Sequence, residues 1–161
     1  MKNNFSASVL ARFDVIEFLE LLAGGKVRYL VFGGCAVMLY SGHRYTSNVD
    51  LWIARDWDNV VALLGVLKTF GAPLAGLSAE DFCQEGHFYQ MGSPPVRIDD
   101  MLSTKGIPFD EAWAERETVR LDGLLVPFIS RAHLIRAKLA SERSQDIVDV
   151  RNLVRGIDPV R

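Results

Sequence analysis

The chain has 161 residues, 49% hydrophobic and 24% charged, with a formal net charge of -2. That length and balance favour a single soluble domain able to bury a core. They exclude the overall basic field that advertises nucleic-acid binding. Met1 to Ser8 has no apolar signal-peptide run, and glycine or charge interrupts every apolar stretch before membrane-spanning length, so a cytoplasmic protein without membrane contact is expected.

In chain order, Val9, Leu10, Phe13, Ile16, Phe18, Leu19 and Leu22 give a helical stripe over about Ser8 to Ala23, stopped by Gly24-Gly25. Val27 to Phe32 is an apolar run of strand length. Gly33-Gly34 breaks it, Cys35 to Tyr40 fits a short buried helix ended by Gly42, and Val49 to Ala54 is the next strand. Asp56 caps an amphipathic helix to Phe70, with Gly71 at its stop. Residues 72–86 are looser, with a helical turn starting near Ser78. Two strands, His87 to Met91 and Val96 to Met101, flank the turn Gly92-Ser93-Pro94-Pro95. Phe109 to Glu117 reads as a short helix. Thr118 to Leu121 and Leu124 to Ile129 form a hairpin around Asp122-Gly123. Ser130 caps a helix through Ala140, and Ser144 one reaching Val154. The expected fold is one α/β (α+β) domain over 1–161, a small mixed β-sheet with flanking helices. Its core spans about 27–129 and its closing helices about 130–155.

The cysteines, Cys35 and Cys83, show no ligand spacing and read as inert thiols. His87 and His133 show no spacing that fits zinc, and His43 either contacts a phosphate or satisfies a helix end. Acids outnumber bases over 1–115, and bases outnumber acids over 116–161. This bias suits an anionic substrate as well as a solvated surface.

Three pieces carry chemistry. Gly33-Gly34 between a strand and a helix lets backbone approach a phosphate, and the helix offers N–H groups and a positive dipole end. A glycine pair at that position is also an ordinary tight turn. Asn48 and Asp50 share a strand face, opposite Val49 and Leu51. Two carboxylates there would hold Mg²⁺, which takes hard oxygen ligands, but Asn48 supplies an amide oxygen without charge. Asp99, in VRIDDML, shares a face with Arg97 and meets Asp50 if the two strands are neighbours. In the C-terminal helices, Lys138 lies in the stripe between Ile135 and Leu139 and is the functional candidate. Arg143, Asp146 and Asp149 read as a solvated face with local ion pairs.

VFGG at Val31 to Gly34, SNVDLWI at Ser47 to Ile53 and RID at Arg97 to Asp99 together resemble the DNA polymerase beta-type nucleotidyltransferase superfamily. HRYTSNVDLWI and LIRAKLASERSQDIVDVRNL are similar to small bacterial stand-alone nucleotidyltransferases, some of them toxins of toxin–antitoxin pairs. The resemblance covers about residues 27–154. It implies a nucleotidyltransferase that uses Mg²⁺ (or Mn²⁺) to move a nucleoside monophosphate from an NTP to an RNA or protein acceptor. It implies Gly33, Gly34, Arg44, Thr46 and Lys138 as nucleotide-binding residues. Asp50, Asp99 and Asn48 are implied as the catalytic and metal positions, Asn48 weakened because the family has Asp there. An antitoxin or a dimer partner is also implied. Asn48 leaves three readings open: an active enzyme, a nucleotide- or partner-binding pseudoenzyme, and an engineered inactive variant.

Overall fold

The computed structural model describes residues 13–42, 46, 48–84, 88–92, 95–99, 106–141 and 144–156. Helix α1, Phe13–Gly24, buries Val15, Phe18, Leu19 and Leu22, the i, i+3, i+4, i+7 stripe read from its sequence. Strand β1, Tyr29–Phe32, runs directly into α2, Gly33–Ser41, with no intervening loop. The helix therefore begins at the glycine pair itself, earlier than Cys35. Strand β2 is Val49–Ile53, and α3 is Trp57–Phe70. Asp56 caps α3, its carboxylate accepting from Asn59 N at 3.1 Å. Ser78 and Asp81 form a capping box on the short α4, Ala79–Cys83.

Strands β3, Phe88–Gly92, and β4, Pro95–Asp99, make an antiparallel hairpin. Gly92 and Pro95 were expected in the turn but pair with each other as its last rung. Proline is tolerated as the first residue of a strand. Helix α5, Phe109–Ala114, ends before Glu117, which instead opens β5, Glu117–Leu121. β5 pairs with β6, Leu124–Phe128, across Asp122-Gly123. Helices α6, Arg131–Ser141, and α7, Ser144–Val154, close the described chain, and none of its helices is long and apolar enough to cross a membrane.

The six strands form one mixed sheet in the order β3-β4-β2-β1-β6-β5. β1 and β2 are antiparallel, whereas β1–β6 and β2–β4 are parallel. This confirms the mixed α+β architecture expected from sequence. Strand register sorts residues onto two faces, because paired positions share a side and neighbours alternate. Val31, Val49, Leu51, Val126 and Phe128 fall on one face and are fully buried. Leu30, Phe32, Asp50, Trp52, Leu125 and Pro127 fall on the other. This second face is only partly covered: Trp52 meets Phe109 of α5 edge-on at 5.2 Å, while Leu125 is exposed.

Candidate active site at the start of α2

The site forms where β1 turns into α2. Register places Asp50 opposite Phe32, the last residue of β1. Gly33 then takes φ +62°, the left-handed region that favours glycine. A Cβ on Gly33 would run into the Asp50 carboxylate and approach its Cβ to 3.2 Å. Gly34 is constrained from the other side, since a Cβ there would come within 2.9 Å of Thr46 Cβ. Both glycines are therefore fixed by close approach, one by the strand carboxylate and one by the threonine ahead of that strand. Phe32, the N-cap, contributes no side-chain acceptor to the first turn of α2.

Thr46 also binds the backbone of Asn48. Its Oγ1 donates to Asn48 O at 3.1 Å and accepts from Asn48 N at 3.3 Å. Cys35 Sγ donates to the same carbonyl at 3.4 Å. The residues flanking Asp50 are thus tied to the start of α2 by local bonds, and sequence spacing had not shown this role for Cys35. Asn48 and Asp50 are both half-buried, so the strand's start is open to a ligand.

Strand β4 does lie beside β2. Asp50 pairs with Arg97 and Trp52 with Asp99, so position 99 falls two residues along on the same sheet face as Asp50. The expected adjacency of the two strands holds at the backbone. The Asp99 side chain, along with Arg44, His43, His87 and Arg143, lies outside the described residues.

Lys138 is placed differently. It is buried, and its Nζ donates to Asp146 at 3.0 Å and contacts Asp149 at 2.9 Å. Asp146 and Asp149 are only 3% and 1% exposed, which overturns the solvated-face reading of these two carboxylates. Their spacing with Leu153 is i, i+3, i+7, which is the buried stripe of α7; that periodicity was the available signal. Ser141 Oγ donates to Asp146, and Gln145 Nε2 to Asp149 Oδ1 at 3.1 Å. The Lys138 ammonium is thus committed to clamping α6 to α7. Both helices pack on α2, so the clamp backs the helix that carries the glycine pair. Tyr40 adds a second brace, its buried hydroxyl donating to Ile129 O at 2.6 Å, and burial pushes that phenol well above its ordinary value.

Sequence spacing also missed a bridge between α5 and α6. Ser130 Oγ bonds His133 Nδ1 at 2.9 Å, and His133 Nε2 bonds Glu111 at 3.2 Å. Ser130 is also the cap of α6, accepting from His133 N. Histidine and glutamate lie 22 positions apart, a separation without local periodicity.

A family described as "Nucleotidyltransferase of unknown function (DUF6036)" matches residues 11–157. No curated protein matches the chain.

Proposed function

Because that match spans most of the chain, the protein belongs to this nucleotidyltransferase family, and from that premise we propose that it transfers a nucleoside monophosphate from an NTP to an RNA or protein acceptor, the acceptor oxygen bonding the α-phosphorus as pyrophosphate leaves. The contact between Gly33 and Asp50 supports this reading most directly. A triphosphate laid on the start of α2 would lie beside the Asp50 carboxylate at the start of β2.

The donor set fits one hard divalent cation, Mg²⁺ or Mn²⁺: Asp50 supplies charge, Asn48 a neutral amide oxygen, and position 99 a further carboxylate from the neighbouring strand. When bound, that ion neutralises charge developing on the phosphoryl group. The chain's own parts do the rest. The first turn of α2 orients the triphosphate through its N–H groups and dipole. Thr46, packed against Gly34, holds the loop that leads to Asn48. Asp99 is assigned to take the proton of the attacking hydroxyl, and Arg44 to a phosphate. Lys138 enters through the scaffold, holding α6 and α7 behind α2.

Labelled NTPs, Mg²⁺ or Mn²⁺, cellular RNA and cellular protein test the proposal. Label should enter an acceptor, disappear in Asp50→Ala, and increase in Asn48→Asp, which restores the second charge. No transfer by either the native chain or Asn48→Asp would overturn it. Within the same reading, a toxin role countered by an antitoxin predicts growth arrest on induced expression that Asp50→Ala relieves.

Asn48 favours a second reading, a pseudoenzyme that binds nucleotide without turnover. Calorimetry separates the two: tight NTP binding indifferent to Mg²⁺ fits the pseudoenzyme, and metal-dependent binding the enzyme.

A further inference from the structure

A cavity of about 410 Å³ opens at the other end of the strands, away from Gly33. Lys26, Arg28 and Arg116 line it together with Trp113, Leu125 and Pro127. Its size is that of a small-ligand pocket, and its lining combines cations with aromatic surface. The Arg116 guanidinium lies 4.0 Å over the Trp113 ring and is held there by a 2.8 Å bond from Nη1 to Trp113 O. Trp113 stacks in turn on Phe109, centroids 5.8 Å apart and planes 20° apart. The column Phe109–Trp113–Arg116 therefore ends in a fixed, exposed guanidinium plane, a surface on which a nucleobase stacks.

Charge points the same way. Arg28 is offset by Asp56 and Asp110. Among the described residues, Lys26 and Arg116 are in no salt bridge. Arg120 pairs with Leu125 across the β5–β6 ladder and adds a further exposed cation on the same face. Leu125 and Pro127 share that face with Asp50. The level of Leu125 lies four residues along the strands from that of Asp50, about 13 Å at the usual strand rise. Between them on that face Pro127 and Phe32 are half-buried, while Leu30 and Trp52 are buried.

We propose that this pocket holds a nucleotide of single-stranded RNA, its base stacked on Arg116 and its phosphates beside Lys26 and Arg120, so that the strand's end runs along the sheet face towards Asp50. The RNA acceptor rests on the nucleotidyltransferase reading; the pocket itself is tested without it. Anisotropy of a short labelled single-stranded RNA, without NTP or metal, should show salt-sensitive binding. The double variant Lys26→Glu/Arg116→Glu should weaken it about tenfold or more, the worth of one stacked base. Unchanged binding in the double variant overturns the pocket, and so does equal displacement of the RNA by a polyglutamate peptide. Pocket-dependent RNA binding without label transfer from NTP would instead overturn the proposed chemistry and leave the pocket standing. Label transfer to RNA that the double variant does not reduce would overturn the pocket alone.

Discussion

The start of α2 and the α6–α7 clamp handle charge in opposite ways. At the first, Asp50 lies half-buried against a glycine turn, beside an amide at Asn48. At the second, two buried carboxylates grip one buried lysine. A buried ion cluster is held by its own partners and tolerates the loss of none, because the remainder keeps an uncompensated charge in low dielectric. A rim carboxylate keeps access to water and to ligands, so its removal alters chemistry more than folding. The same chain thus uses aspartate to brace a helix from behind and to meet a ligand in front.

The sharpest way to break this contrast is to remove Lys138. Lys138→Met leaves Asp146 and Asp149 buried without their ammonium and should cost about 3–5 kcal/mol. Urea unfolding reads that loss directly, whereas Asp50→Asn should move the midpoint little. Equal destabilisation by the two variants would erase the distinction between scaffold and site.

Gly33→Ala comes next and attacks the site through its backbone. The added methyl collides with the Asp50 carboxylate, and φ +62° is strained for alanine. A cost of about 1–3 kcal/mol is expected, with loss of NTP binding by calorimetry. Asp50→Gly introduced together with it should restore much of the stability and none of the binding, because the collision is gone and so is the carboxylate. If the double variant stays as unstable as Gly33→Ala, the strain lies in the turn alone.

These two regions were unequally legible in the sequence. The front site could be read because its parts are local: a strand, a glycine pair, and a carboxylate at a fixed place on the next strand. Asp56, Ser78 and Asp122-Gly123 were legible for the same reason, since caps and tight turns are decided within a few residues. The adjacency of β2 and β4 joins positions nearly fifty residues apart and could be posed only as a condition. The clamp was misread because a carboxylate on a helix is normally solvated. Lys138, arriving from another helix, supplies the charge that compensates the buried Asp146 and Asp149. The Phe109–Trp113–Arg116 column has local i, i+4, i+7 spacing, but the pocket it lines was hidden by the same distance effect, being completed by α1 and β6.

The smallest effect belongs to the bridge between α5 and α6, which lies between these extremes as a partly exposed ion contact. The hydrogen bonds from His133 and then Arg136 hold the Glu111 carboxyl below its ordinary value of 4.5. A carboxylate depressed in the folded state adds stability that is fully present above its unfolded value and is lost as pH falls through the folded one. Thermal melts taken from pH 6 to pH 3, a range set about that ordinary value, should therefore show an acid-side decline that Glu111→Gln flattens slightly, with little change near neutrality. Breaking the clamp with Lys138→Met should cost far more than this near neutrality. If Glu111→Gln costs as much as Lys138→Met, the exposed bridge carries the scaffold, and burial is not what divides bracing charge from ligand-facing charge in this fold.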